Sequence, residues 1–117
     1  MVTLELPWPP SVNHYYRHVG PRVLISREGR NYREMVANRI KAEGIKKLAG
    51  DVEVCIHLYP PDKRRRDVDN VLKCLLDTLT AGELYNDDSQ IKTLHISKLE
   101  PMPPDGLVIL TVVDILK

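Results

Sequence analysis

Residues 63–82, KRRRDVDNVLKCLLDTLTAG, pass from four cations through two aspartates into an apolar run spaced for a helix. Val68, Val71, Leu72, Leu75, Leu76 and Leu79 recur every three or four residues, which puts them on one helical face, and Gly82 is a stop signal. Pro60 and Pro61 close the segment before it. There Val52, Val54, Ile56 and Leu58 alternate with Glu53, Cys55, His57 and Tyr59, the two-residue period of a strand with unlike faces. Asp67 and Asp69 therefore fall at a strand-to-helix junction. Within a continuous helix, side chains two residues apart are turned about 200° from each other. An extended or N-capping Asp67 can instead share a side with Asp69, so the pair works as a ligand pair only at such a junction.

Working outward, residues 2–6 alternate as a short strand ended by Pro7. PWPPSVNHYYRHVGPR (7–22) is too rich in proline and turn formers for regular structure and reads as an ordered loop. Ser26 is a cap for a helix over 27–43, with Tyr32, Met35, Val36, Arg39 and Ile40 near one stripe, Gly29 weakening its first turn and Gly44 stopping it. After the central helix, ELYNDDS (83–89) is a turn leading into a strand over 90–99. MPPDG (102–106) then precedes a last strand over 107–114. That strand lacks alternation, so it is expected to be covered on both faces or to lie at a subunit contact. The order β-α-β-α-β-β predicts an α/β (α+β) fold, a mixed sheet with two main helices packed on it.

With 117 residues, the chain fits one domain, residues 1–117. A 43% hydrophobic and 28% charged composition is that of a globular protein, and no apolar run approaches the roughly 18 residues needed to span a bilayer. No secretory signal opens the sequence, and Cys55 and Cys74 lack metal-binding spacing. A cytoplasmic protein with free thiols and no membrane partner is expected. The net charge of +1 excludes a bulk DNA-packaging role, yet Arg17, Arg22, Arg27, Arg30 and Arg33 and the block Lys63, Arg64, Arg65, Arg66 permit a local basic patch.

Lys73 lies one turn beyond Asp69, and Asp87 and Asp88 follow in the next turn. If the helix brings that turn back beside its own start, three carboxylates and a lysine gather next to the basic block. Such a set suits phosphodiester chemistry: cations hold a phosphate backbone and carboxylates hold a divalent ion that cancels their repulsion. Oxygen donors without a His or Cys cluster favour Mg²⁺, with Mn²⁺ as substitute, over zinc. Each element also has a purely structural reading. Asp67 or Asp69 can be an N-cap, Asp87 and Asp88 an Asx-turn, and the basic block a solvated run. His14 and His18 read as loop hydrogen-bonding groups, and His57 and His95 as strand-face residues. Trp8, Tyr15 and Tyr16 either stack on bases or pin the loop to the body, the latter being the default.

Taken together, LPWPPSVNHYY (6–16), DKRRRDVDNVLKCLLDTLT (62–80) and LYNDDSQI (84–91) resemble the RusA family of Holliday junction resolvases, small phage and prophage endodeoxyribonucleases. The resemblance implies a homodimer that binds four-way DNA junctions and, with Mg²⁺ or Mn²⁺, makes paired nicks in strands of like polarity. It also implies Asp67, Asp69 and Asp88 as metal-binding carboxylates, Lys73 as the essential lysine and Arg66 beside the site. Lys63, where arginine is common, and Val68, where leucine is common, are mild departures. Lys63, Arg64, Arg65, Arg66, Arg17, Asn13, Tyr15 and Tyr16 are the candidate DNA contacts. A non-catalytic nucleic-acid-binding protein and a general fork or flap nuclease are the competing functions.

Overall fold

The computed structural model describes residues 1–115. Its main sheet has four strands in the order β1 (Val2–Leu6), β6 (Leu107–Asp114), β4 (Val52–Tyr59), β5 (Ile91–Lys98). β6 is antiparallel to both β1 and β4, with Leu110 opposite Leu4 on one side and Ile56 on the other. β5 pairs parallel to β4, so β4, α3 (Val68–Ala81) and β5 form a β-α-β crossover. One sheet face carries Leu4, Leu6, Val52, Val54, Ile56, Leu58, Val108, Leu110 and Val112, all buried. Tyr32, Val36 and Ile40 of α2 (Arg27–Ala42) and Cys74, Leu75 and Leu79 of α3 complete the same core. Of the apolar face expected for α3, Leu75 and Leu79 are its centre, while Val68, Val71, Leu72 and Leu76 are half-buried along its flanks.

Of the two alternatives for β6, cover on both faces is not met among the described residues. Its inner positions are buried and its outer positions, Leu107, Ile109 and Thr111, are half-exposed, so no helix covers the second face. In the plane of the sheet β6 is an interior strand, flanked by β1 and β4.

The 7–22 segment is more regular than its composition suggests. It contains a one-turn helix, α1 (Val12–Tyr15), and the first strand of a hairpin, β2 (Tyr16–Val19) with β3 (Arg22–Ile25). Gly20 at φ 59° followed by Pro21, with its φ locked negative, is the two-residue turn whose twist suits a hairpin. Strands of four residues are too short to show alternation. Gly29, expected only to weaken α2, is required there. A Cβ at that position would sit 2.4 Å from the Tyr15 carbonyl oxygen and 2.8 Å from Ile25 Cγ2, so its absence lets α2 start against α1 and the hairpin. Ser26 caps α2 as expected, its Oγ accepting from the Gly29 N–H at 3.0 Å and donating to the His14 carbonyl. Gly82 is the C-cap of α3, as expected, its N–H donating to the Thr78 carbonyl at 2.8 Å. The left-handed residue closing α3 is Glu83 (φ 63°), while Gly82 allows close approach of α2, with Ala37 Cα 3.5 Å and Ile40 Cδ1 3.3 Å from its missing Cβ.

Candidate functional site

The basic stretch is shaped by a residue that the sequence pattern did not single out, Asp62. Its Oδ1 accepts from the Arg64 backbone N–H at 2.9 Å and from Arg66 Nη1 at 2.7 Å, so the loop after β4 folds around one carboxylate. The bonded Arg66 guanidinium, followed by the Arg64 N–H, holds the Asp62 carboxyl down at about 2. The spacing Asp-x-Arg-x-Arg was the available signal, an Asx-turn overlaid on an i,i+4 ion pair. Arg66 is thereby committed to the protein: its side chain is 22% exposed and its Cζ lies 5.8 Å from the Trp8 ring centre. Arg64, 84% exposed, and its exposed neighbours Lys63 and Arg65 remain open to solvent.

Asp67 is the N-cap residue of α3, with φ −81° and ψ 128°, the extended torsions that allow its carboxylate to share a side with Asp69. Its side chain makes no capping hydrogen bond. Among the described residues, neither the Asp67 nor the Asp69 side chain has a hydrogen-bond or ion-pair partner. The capping explanation for Asp67 is therefore absent from the structure, and the positive end of the helix dipole favours both charges where they stand. Beside Asp67 opens a recess of about 690 Å³ between residues 8–13 and the start of α3.

One turn further along, Lys73 Nζ lies 5.3 Å from the centre of the Tyr16 ring. The Tyr16 hydroxyl donates to Asp77, and burial, reinforced by that carboxylate, raises its pKa well above the usual tyrosine range. Tyr16 thus positions Lys73 over its ring face. Tyr15 is a correction to the expected DNA contacts. It is wholly buried, its hydroxyl is 2.8 Å from Thr78 Oγ1 and accepts from Arg33 Nε at 2.7 Å, so it pins the loop to the core. Asn13 lines the recess and Arg17 is exposed on the hairpin. His14 bonds Ser11 within the loop at 2.9 Å.

Asp87 and Asp88, adjacent in sequence, do different things. Asp87 caps the short 3-10 turn Asp88–Gln90, accepting from the Ser89 N–H at 3.2 Å, which lowers its pKa. Gln90 fastens that turn to the body by donating to the carbonyls of Leu48 (3.0 Å) and Gly50 (2.7 Å). Asp88 is exposed and its side chain has no hydrogen-bond or ion-pair partner among the described residues; it borders a smaller recess with Arg33, Asp77 and Thr80.

One protomer does not gather Asp88 with Asp67 and Asp69. Because β5 is parallel to β4, α3 must carry the chain back to the end of the sheet where β4 began. Asp67 precedes that helix and Asp88 follows it. The 14 residues of α3 hold the two ends roughly 20 Å apart. Among the described residues no three His, Cys, Asp or Glu side chains meet where they could hold a metal ion.

A family model for Endodeoxyribonuclease RusA matches residues 7–109. The chain belongs to this family. Its similarity to individual RusA proteins extends over almost the whole sequence. The chain is 41% identical over 112 residues to the "Crossover junction endodeoxyribonuclease rusA" of Enterobacteria phage 82, covering 95% of this chain and 92% of that one. Over 113 residues it is 40% identical to the RusA of Escherichia coli strain K12 and to that of Shigella sonnei strain Ss046, in each case covering 96% of this chain and 93% of the relative. Membership in this endodeoxyribonuclease family implies a divalent metal. The donors fit in kind: the Asp67 and Asp69 carboxylates offer hard, unpartnered oxygens, and Mg²⁺ is commonly held by one or two carboxylates plus substrate phosphate. No helix among the described residues is long and apolar enough to cross a membrane.

Proposed function

We propose that the protein is a crossover junction endodeoxyribonuclease acting as a homodimer on four-way DNA, with Asp67 and Asp69 holding Mg²⁺ or Mn²⁺ and Asp88 of the partner subunit completing each site. One contrast among the acids carries this reading. Asp62, Asp77 and Asp87 are each satisfied by groups of the protein, whereas the side chains of Asp67 and Asp69, two residues apart at the entry to α3 behind the basic run, and of Asp88 have no protein partner among the described residues. Charges left unpaired near one another destabilise a fold unless something else neutralises them. An element that crosses a two-fold axis meets its own copy antiparallel, so its opposite ends become neighbours; this supports bringing Asp88 to Asp67 and Asp69 despite their separation within one chain. The half-open apolar face of β6 is a further surface such a dimer can cover.

Bound there, the ion would activate water and neutralise charge developing on the phosphate. The residues supply the rest. Lys63, Arg64 and Arg65 hold the backbone, Arg66 and Asp62 keep their loop in shape, and Lys73, positioned by Tyr16, places a cation one turn from Asp69. Two equivalent sites suit a junction of near-two-fold symmetry.

The test is subunit mixing. Asp69→Asn and Asp88→Asn homodimers should each bind a synthetic four-way junction and fail to nick it in Mg²⁺. In a mixed dimer one composite site collects both substitutions and the other keeps neither, so mixing restores nicking at one site. Were the carboxylates assembled within one chain, both sites would carry a substitution and the mixture would stay silent. Flap and linear duplex substrates in parallel measure the preference for junctions.

A further inference from the structure

We propose that the recess beside Asp67 receives a single nucleobase, unstacked at the branch point of the DNA and adjacent to the phosphate addressed by Asp67 and Asp69. The proposal rests on the nuclease reading above and assigns a function to the part of the cavity beyond Asp67, its carboxylate at the rim being the one shared with the metal chemistry. Two kinds of surface meet in it. Trp8, Pro9 and Pro10 form an apolar wall, and Asn13 and Asn70 bring exposed side-chain amides that have no hydrogen-bond partner among the described residues. A phosphate would call for cations on every side. Arg65, Arg66 and Asp67 line the recess too, Arg66 being already bonded to Asp62, and the aromatic and proline wall with two free amides beside them suits a flat heterocycle, which stacks by its face and exchanges donors and acceptors through its edge, next to a backbone phosphate. The volume, about 690 Å³, lies in the range of sites that enclose small organic groups.

The wall is also held in place before DNA arrives. Arg66, bound to Asp62 at 2.7 Å, lies over the Trp8 ring at 5.8 Å, while Trp8 itself packs against the core. A rigid aromatic wall captures a base with little ordering of its own.

Such a recess discriminates between DNA structures. In continuous duplex each base is stacked on both faces and paired, so extraction carries a penalty that falls where stacking or pairing is already broken. Bases at a four-way exchange point have lost a continuous stacking neighbour. The recess thus favours branched over linear DNA at the site of cleavage, and the amides of Asn13 and Asn70 bias which base is accepted.

The experiment places 2-aminopurine, whose fluorescence rises on unstacking, at each nucleotide flanking the crossover. Protein is added with Ca²⁺ in place of Mg²⁺. The wild type should raise the signal several-fold at one position and leave a linear duplex of the same sequence unchanged. Asn70→Ala should lose most of that rise and flatten the base preference of cleavage in Mg²⁺. Trp8→Ala should lose it as well and bind junctions about ten-fold more weakly. Because Trp8 packs against the core, Asn13→Ala, altered only at an exposed amide, serves as the second variant and should change the base preference. If the wild type nicks junctions in Mg²⁺ but every probe position stays dark, or if Asn70→Ala and Asn13→Ala keep both the signal and the preference, the recess does not hold a base. Failure of the wild type to nick any junction would instead overturn the nuclease reading and this proposal with it.

Discussion

At the N-terminal end of α3, Asp67 and Asp69 stand without a protein partner beside an open recess, whereas near its C-terminal end Asp77 accepts from Tyr16 and Asp87 caps the following turn. The same residue type thus does two kinds of work on one helix. Where carboxylates are bonded internally, their removal should be felt in stability. Where they are left open, their removal should be felt in chemistry. Asp88, open but placed at the bonded end, belongs by its lack of partners with the first group.

The largest effect expected is at the open end. Asp67→Asn should slow junction nicking by roughly 100-fold or more, since several kcal/mol of charge stabilisation depend on the metal ligands. Its urea stability should fall by less than about 1 kcal/mol, the scale of a helix-dipole contact. Cleavage kinetics and denaturation of the same preparation decide it, and a large stability loss with intact nicking would reverse the comparison.

At the bonded end the pattern inverts. Asp77→Ala deprives the half-buried Tyr16 hydroxyl of its acceptor and should lose about 1–3 kcal/mol of stability in urea. It also loosens the ring under Lys73, so a modest fall in nicking accompanies the loss.

A smaller, graded effect concerns the basic loop. Replacing Lys63, Arg64 and Arg65 with alanine should reduce the slope of log binding constant against log salt by about 0.9 for each phosphate contact removed. Arg66→Ala should act through loop order instead, weakening binding with a smaller change in slope, because Arg66 is bonded to Asp62 and lies over the Trp8 ring. Fluorescence anisotropy across a salt series separates the two.

The smallest effect is the pH response of Asp62. Its carboxyl is lowered in the folded state from an ordinary value of 3.8 to about 2, so the stability it contributes is fully present above pH 4 and is lost as pH falls from there through 2. The difference in denaturation midpoint between wild type and Asp62→Asn should be constant above pH 5 and vanish toward pH 2. A difference that grew as pH fell would mean that the Arg66–Asp62 pair does not organise the loop.

Much of this was legible in advance for reasons that stay within a few residues. The apolar spacing of α3, the alternation of β4 and the prolines between them are local, and they placed Asp67 at the extended entry to a helix, where the structure has it. The hairpin after Tyr15 was hidden because four-residue strands carry too little pattern, and Gly29 was misread because its reason is Tyr15, 14 positions away. Asp62 was overlooked because a charged residue beside a basic run looks like solvated surface until its hydrogen bonds are seen.

By itself the sequence determined the periodic elements, the junction that frees Asp67 and the kinds of donor offered to a metal, because backbone periodicity and side-chain chemistry are properties of neighbouring residues. The tertiary structure decided which ends lie together. The direction in which β5 joins β4 is settled by packing across the whole sheet and puts Asp88 at the far end of α3, while the packing of residues 8–13 beside the start of α3 forms the recess of Trp8, Asn13 and Asn70 next to Asp67.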